Sequence, residues 1–556
     1  MNQADDVSHR LRWTVYWLLI LAAAASSSAR IFSTTAAGRD PRTPFLSAND
    51  RSRWSMIRAL VDHGTFAVDD VIFDPATGKR SSGWHTIDLV KHRGWDGREH
   101  YYSSKPVLMP TLMAGVYWVA KQATGASLAT RPFHAGRVTL WLCNIPPLVL
   151  MWWLLARMID RLGRDDWSRC LTMAAATLGT FLTTFSITLN NHVHAAVCVT
   201  ITVHALLMIS ERRRARAGLS LQFMLAGLFA ALTFANELPA LAFLALVATA
   251  ALWLDWRSAL VWFAPPVVLV LAAMLGLNYA VHGSLRPPYT HRGDGAVMAE
   301  VETNFQRLRS GDASEIVAAI NPQLSAPLSD GATVQHRTQI NAGQDITNRY
   351  VLWDESTQQR FALAIERKEG MIEVRTWDNW YEYDGTYWTA ENKRGVDRGE
   401  RSYLVYAFHC LIGHHGLFSL TPLWLLAFAG MLLAFRSTPK ASPELLAVRA
   451  SPDLRAVAAG TLLLSVVCLT FYLLRPLEDR NYGGVCNGLR WMMWFIPLYL
   501  LTMLPALSWL SHSRWGRSVS LTCLAISIFS ASYTPMNPWS HPWLFDYWEY
   551  LGWIKY

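Results

Sequence analysis

Eleven apolar runs, each near the length that crosses a bilayer, dominate this chain of 556 residues. Hydrocarbon offers no partner to an exposed peptide group, so a span must be a helix of about 20 mostly apolar residues. The runs are 13–32, 137–157, 170–188, 194–210, 219–235, 239–254, 259–280, 417–435, 457–474, 491–510 and 518–533. With 52% hydrophobic residues, the chain is too apolar for an ordinary soluble globule. It reads as an α-helical polytopic membrane protein. Many of its 26 tryptophans flank the runs, among them Trp13, Trp17, Trp152, Trp153, Trp253, Trp256, Trp262, Trp491, Trp494 and Trp509. Indole rings favour the lipid–water boundary, so this is an aromatic belt.

Short cationic loops give an orientation. Arg10 and Arg12 precede the first run; Arg157, Arg161, Arg164 and Arg169 follow the second; Arg212, Arg213, Arg214 and Arg216 follow the fourth. Arg257 follows the sixth, Arg436, Lys440, Arg449 and Arg455 the eighth, and Arg514 and Arg517 the tenth. Every second loop is basic, which predicts a cytoplasmic N-terminus and an outer C-terminal tail. The formal charge of +9 is thereby explained by topology and not by nucleic-acid binding. Ser27-Ser28-Ala29 resembles a signal-peptidase site, but the alternation works with the first helix retained.

Two long segments then fall outside, 33–136 and 281–416. The stretch 106–120 is apolar but short and carries Pro106 and Pro110; it is expected to lie on or dip into the outer leaflet. Strand-like patterns at Thr333–Ile340, Tyr350–Trp353, Phe361–Glu366 and Ile372–Trp377, with turns at Asp354-Glu355-Ser356 and Lys368-Glu369-Gly370, predict a small β-rich extracytoplasmic insert over 281–416. The insert divides a membrane module of 1–280 from C-terminal helices in 417–556. The aromatic stretch Trp377–Trp388 offers either ring faces for a sugar or a core for the insert. The seven cysteines lie mostly inside apolar runs and form no metal-ligand pair. Only Cys410 and Cys486, both near the outer surface, leave a bridge open.

The polar residues beside the apolar runs hold the chemistry. Trp54, Ile57, Leu60 and Val61 have helical spacing, placing Asn49 or Asp50 at or near the N-cap of a surface helix. Lys105 stands in Ser104-Lys105-Pro106-Val107-Leu108 at the edge of an apolar segment, where a snorkelling lysine is the plain alternative. Gly483-Gly484-Val485-Cys486-Asn487-Gly488-Leu489-Arg490-Trp491 sets an arginine beside glycines that permit close approach to an anion. Asn190-Asn191-His192, Asn236-Glu237-Leu238-Pro239 and Gly413-His414-His415-Gly416 lie in other outer turns. A glutamate in so apolar a setting is costly without a partner, which marks Glu237 as functional. Paired histidines can bind metal, but His414 and His415 are adjacent and point apart on a helix, which fits hydrogen bonds to sugar or phosphate better.

The stretch Asp50-Arg51-Ser52-Arg53-Trp54-Ser55-Met56-Ile57 resembles the start of the first outer loop in GT-C superfamily glycosyltransferases, notably the protein O-mannosyltransferases and the lipid A aminoarabinose transferases. The family's acid falls on Asp50 and its Arg-aromatic step on Arg53-Trp54; Arg51 replaces a second acid. Ser104–Leu108 is similar to the family's Lys/His-Pro-Pro-Leu element, and Gly483–Trp491 to its Gly-Gly…Gly-Pro-Arg-Tyr element. Where relatives place a second aspartate this chain has Asn190-Asn191-His192. The resemblance covers the spans but not the insert.

That resemblance implies inverting transfer of a sugar from a polyprenyl-phosphate donor to an acceptor hydroxyl at the outer face of the plasma (inner) membrane. Asp50 would be the base, because a phosphate leaving group needs no general acid. Lys105 and Arg490 would stabilise the departing phosphate, with Arg53, Asn191, His192, Glu237, His414 and His415 binding substrate. No nucleotide or redox cofactor is called for; a divalent ion stays open, since some members of the superfamily use one, although the missing second acid argues against it. The acceptor is a protein, a lipid or a polysaccharide. The alternatives are a transporter or lipid flippase, which calls for charge near mid-bilayer and paired broken helices, and a non-catalytic scaffold whose insert binds a partner.

Overall fold

The computed structural model describes residues 3–36, 38–39, 41–214, 218–303, 305–340, 346–365, 370–389, 391–435 and 450–556. Arg216, Arg436, Lys440 and Arg449, Glu366 at the end of one expected strand, and the expected turn at Lys368-Glu369 lie outside the described residues.

The bundle begins with α1 (Gln3–Ser33) packed on α5 (Pro132–Leu162) and α6 (Asp166–Leu178), and continues through α8 (Asn191–Arg214) and α9 (Ser220–Asn236). Next come α10 (Leu241–Ser258) and α11 (Ala264–His282), then α12 (Leu423–Phe435) and the helices Pro452–Leu473 and Arg514–Ser532. Among the described residues five helices are long and apolar enough to cross a membrane, or six if the bent pair Arg490–Thr502 and Leu504–Leu510 counts as one span. The stretch Leu238–His282, long enough for two expected runs, is broken by extended backbone at Asp255. The run at 170–188 is also interrupted: α6 ends at Gly179, and α7 (Phe181–Phe185) restarts after an extended Thr180. Five or six of the eleven expected spans are thus long apolar helices among the described residues, and other expected runs fold as shorter or broken helices. Close packing supports the broken ones. A Cβ on Gly430 of α12 would sit 2.0 Å from the Thr502 carbonyl, so only glycine lets the bent pair approach there.

The bundle has two polar ends. At one, Arg12 pairs with Asp160 and Asp166 (both 2.6 Å), and Arg161 pairs with Glu211 (2.8 Å) and Asp453 (2.7 Å). The Arg517 guanidinium lies over the Trp167 ring at that same end. The loops read as cytoplasmic from their charge thus share one end. At about 1.5 Å per residue, Asn191 stands about 30 Å along α8 from Glu211.

The other end is covered by 33–136. Here lie α2 (Ala48–Arg58), α3 (Asp69–Ile72), the antiparallel hairpin of β1 (Leu89–Arg93) and β2 (Glu99–Ser103), and α4 (Leu108–Thr124). The N-cap of α2 is Ser47, whose hydroxyl accepts from the Asp50 amide; Asp50 sits in the first turn and not at the cap. α4 is the helix over the ambiguous 106–120 stretch. It packs on α2, α5, α9 and α11.

The insert carries an all-antiparallel five-stranded sheet in the order β3-β7-β6-β5-β4, from β3 (Arg292–Glu302), β4 (Thr333–Ile340), β5 (Ile346–Asp354), β6 (Gln359–Ile365) and β7 (Met371–Asn379). β3 has no sequence-level counterpart, because its alternation is diluted by Gly293, Asp294, Gly295 and two glutamates. The aromatic stretch after β7 does not form the insert's own core. Trp380, Tyr381 and Tyr383 are buried with the 33–136 segment, apart from the insert's own core of Leu352, Phe361, Leu363 and Val374. Lys91 N–H donates to the Trp380 carbonyl and Trp388 Nε1 to the Ile87 carbonyl, welding insert to hairpin. All seven cysteines are free thiols, so Cys410 and Cys486 form no bridge.

Candidate active site

Three turns converge at the covered end of the bundle. The first is the start of α2. Asp50 is 1% exposed; its Oδ2 accepts from Leu46 N–H and its Oδ1 from Leu189 N–H, both at 3.0 Å. The carboxylate therefore ties the entry of α2 to the turn that leads into α8. Burial raises its pKa to about 6 against the pull of those two amides and of Arg51 and Arg53. Asp50 borders a narrow crevice of about 10 Å³, about the least that admits one water.

The second turn opens α8. The Asn190 side chain caps the helix by accepting from Val193 N–H at 3.0 Å, while Asn144 holds the Ser186 and Thr188 carbonyls. Asn191 and His192 are thereby aimed at the third element, the Asn236-Glu237 exit of α9. Asn191 Nδ2 donates to Glu237 Oε1 (2.7 Å) and to the Asn236 carbonyl (2.9 Å), and His192 Nδ1 is hydrogen-bonded to the same Glu237 oxygen. Glu237, 6% exposed, has the partners its apolar setting demands.

Two arginines complete the chain of contacts. Arg53 Nη2 donates to Asn191 Oδ1 (2.7 Å), and its Nη1 is held by Asn49. Arg490 Nη1 reaches His192 Nε2 (2.9 Å), and its Nε donates to the Gly483 carbonyl (2.8 Å). Gly483 has φ +92° and a Cβ there would lie 3.0 Å from Arg490 Nε, so glycine sets the loop around the guanidinium. Arg53 is 2% exposed, yet among the described residues neither guanidinium is ion-paired with a carboxylate. Burial brings the Arg53 pKa down to about 10, helped by the nearby Arg490 charge. The N-terminus of α8 adds its own positive field.

Lys105 belongs to the same cluster, feeling both Arg53 and Arg490. Its Nζ lies 2.8 Å from Asp88 Oδ2. Asp88 is the residue sequence reasoning missed. It sits just before β1, facing Lys105 just after β2, and the hairpin register brings the two together. The turn is locked beneath: Ser52 Oγ donates to the Asp88 carbonyl (2.7 Å) and is bonded to Ser103 Oγ (2.6 Å). Arg292 and Tyr381 of the insert also sense the Asp88 charge. The only available signal was a carboxylate in the same loop as the lysine.

The structure thus gathers Arg53, Lys105, Asn191, His192, Glu237 and Arg490, with Asp50 one turn away. His414 and His415 are not joined to this chain of contacts. Both are fully buried, bonded to each other, with His414 Nε2 on the Tyr556 hydroxyl (2.9 Å). They pack among His409, Tyr482 and Phe545 beneath the C-terminal helix Trp543–Tyr550.

Between α4, α8 and α9 lies an apolar cavity of about 160 Å³, walled by Leu108, Leu112, Met113, Cys198 and Leu232 and reaching Asn236. Asn236, whose carbonyl Asn191 holds, is part of its lining. Among the described residues no group of three or more His, Cys, Asp or Glu side chains could hold a metal ion. Asp50 has backbone amides where a divalent ion would need further oxygen ligands, so the residues present do not fit one.

No protein-family model and no curated protein matches this chain. Among solved structures it is similar to the Saccharomyces cerevisiae protein O-mannosyltransferase Pmt1-Pmt2 complex bound to the sugar donor, at TM-score 0.45 and 11% identity over 97% of this chain and 92% of that one. It is also similar to the Archaeoglobus fulgidus oligosaccharyltransferase in the apo form, at TM-score 0.41 and 11% identity over 97% and 57%. A third is the archaeal oligosaccharyltransferase AglB from the same organism, in complex with an inhibitory peptide and a dolichol-phosphate, at TM-score 0.40 and 12% identity over 97% and 57%. The chain spans a little over half the length of these last two.

Proposed function

We propose that this is a GT-C-type membrane glycosyltransferase that moves a sugar from a polyprenyl-phosphate donor to an acceptor hydroxyl, with inversion, at the extracytoplasmic face. One observation carries the reading: the buried Arg53 and the half-buried Arg490, neither ion-paired with a carboxylate among the described residues, are linked through Asn191 and His192 to the Asn236-Glu237 turn that borders an apolar cavity. A buried cation is stable only when matched by negative charge or hydrogen bonds. A phosphate headed by Arg53 and Arg490, with its prenyl tail in the α4–α8–α9 cavity, meets both demands. Charge gathered at the ends of the bundle also fits this reading better than a transport path through mid-membrane.

The acceptor oxygen attacks the anomeric carbon as the bond from that carbon to the phosphate oxygen breaks. The lipid phosphate leaves with the bonding pair, and Arg53, Arg490 and Lys105 stabilise its growing charge. The acceptor proton passes to a carboxylate. Asp88 is the better placed, because it faces the cations through Lys105, whereas both Asp50 oxygens are held by amides over a crevice too small for an acceptor. Asp50 is the second reading, favoured by a pKa raised to about 6, close to the operating range of a general base. Turnover with a polyprenyl-phosphate-sugar donor separates them. Asp88→Asn is expected to lower turnover by about 10²-fold or more with donor affinity kept, the usual size of a general-base effect. The same loss in Asp50→Asn, with Asp88→Asn near wild type, would move the base to Asp50. Retained turnover in both would end the proposal of a carboxylate base.

A further inference from the structure

A second cavity, of about 280 Å³, lies where the β1–β2 hairpin, the C-terminal end of α11, the start of β6 and the end of β7 meet. Its wall carries three cations, Lys91, Arg93 and Arg360, against one carboxylate, Glu99. Lys91 Nζ and Arg360 Nη2 both rest on Glu99 Oε2, at 2.8 and 2.7 Å, so one oxygen serves two cations and the wall keeps a positive excess. The half-buried Trp377 adds an aromatic surface beside Arg360.

The histidines of this wall have a fixed proton arrangement. His92 Nδ1 lies 3.0 Å from the Arg93 carbonyl, which can only accept, so Nδ1 carries the proton. Burial brings His92 down to about 4, leaving it neutral with Nε2 as an acceptor. His282 Nδ1, 2.9 Å away, must then donate to it. That leaves His282 Nε2 as a bare acceptor, and it has no hydrogen-bond partner although the residue is only 7% exposed. A cation here would bury an unmatched N–H; a neutral ring calls for a hydroxyl donor.

Resting on the transferase reading, we propose that this cavity is an acceptor subsite for an anionic glycan, whose carboxylate or phosphate faces Arg360 and Lys91 while one hydroxyl donates to His282 Nε2. The hairpin connects the two places: β1 leaves Asp88 and reaches the cavity at Lys91, about 10 Å on at 3.3–3.4 Å per residue. A glycan seated there places sugar units between its anchor and the bond being formed.

Binding to the full-length protein in zwitterionic nanodiscs tests this without turnover. The probes are trigalacturonate, a trisaccharide ending in mannose 6-phosphate, and neutral galactotriose. At least one anionic probe is expected to bind tenfold or more tightly than the neutral one, and to weaken with salt; which of the two wins identifies the anion. Arg360→Gln should erase that margin and Arg360→Lys restore most of it, while polyprenyl-phosphate binding stays unchanged and reports an intact fold. Equal affinity for charged and neutral probes, or an Arg360→Gln variant indistinguishable from wild type, overturns the subsite. Loss of the subsite with transfer intact leaves the transferase reading standing; absent transfer with the anionic preference intact does the reverse.

Discussion

Lys105 shows how a single side chain sets a pH limit. Burial lowers its ammonium to about 8, with Asp88 pulling the other way. A folded value below the ordinary one, about 10.4, means the protonated form is less at home in the fold. Its stability contribution is complete above the unfolded value and declines as pH drops through about 8. In the role proposed for Lys105, donor binding needs the proton and runs the other way. Affinity for polyprenyl phosphate is expected to fall above about pH 8, and Lys105→Arg should move that limb beyond the measurable range. An unshifted limb would detach Lys105 from the phosphate. Asp50 is displaced in the opposite sense for an acid. With its pKa near 6 in the fold and about 3.9 unfolded, it stabilises most in its protonated form and loses that advantage as pH rises through the interval. Asp50→Asn should flatten the wild-type fall in Tm over that interval. It should also cost about 1–3 kcal/mol at low pH, by leaving one of the two amides facing an NH₂ group.

At the scale of elements, the site depends on short pieces held by their ends. α2 is placed by Ser47, and the turn before α8 by Asn144, Asn190 and Asp50. Ser47→Ala is expected to cost about 1 kcal/mol, read as a lower Tm, and to loosen Arg53, two turns of contacts away, read as weaker donor binding. The insert is held through its aromatic tail. Trp380 stacks on His291 with ring centroids 3.5 Å apart and lies 4.2 Å from His92. Trp380→Ala should cost about 3–5 kcal/mol and expose the hairpin turn to protease before the bundle unfolds; a wild-type digestion pattern would contradict the weld. These contacts explain what the sequence did and did not reveal. Apolar runs announce themselves by composition, and Asn191, His192, Glu237 and Arg490 stood out because polar groups beside such runs are costly. Asp88 did not, since its meaning depends on a hairpin whose strands, Leu89–Arg93 and Glu99–Ser103, are too polar to show alternation. His414 and His415 looked available because nothing local reveals that Phe545 and Tyr556, more than a hundred residues on, will cover them.

The whole molecule is organised as one polar end of ion pairs, an apolar girdle with Trp253, Leu269 and Trp515 outward, and one polar end of chemistry. In the proposed orientation, read from charge alternation, the first end is cytoplasmic. Single cysteines at Glu211 and Asp384 test that: Asp384→Cys should react with a membrane-impermeant maleimide in intact cells and Glu211→Cys only after permeabilisation. Reversed labelling would invert the orientation. In the proposed function the arginine pair at the second end receives a lipid phosphate. Native mass spectrometry of polyprenyl monophosphate bound to the nanodisc-embedded protein measures this directly. Each of Arg53→Gln and Arg490→Gln removes a charge-assisted hydrogen bond of about 1.5–3 kcal/mol. Binding is predicted to fall about tenfold or more in each variant; wild-type binding in both would contradict the account.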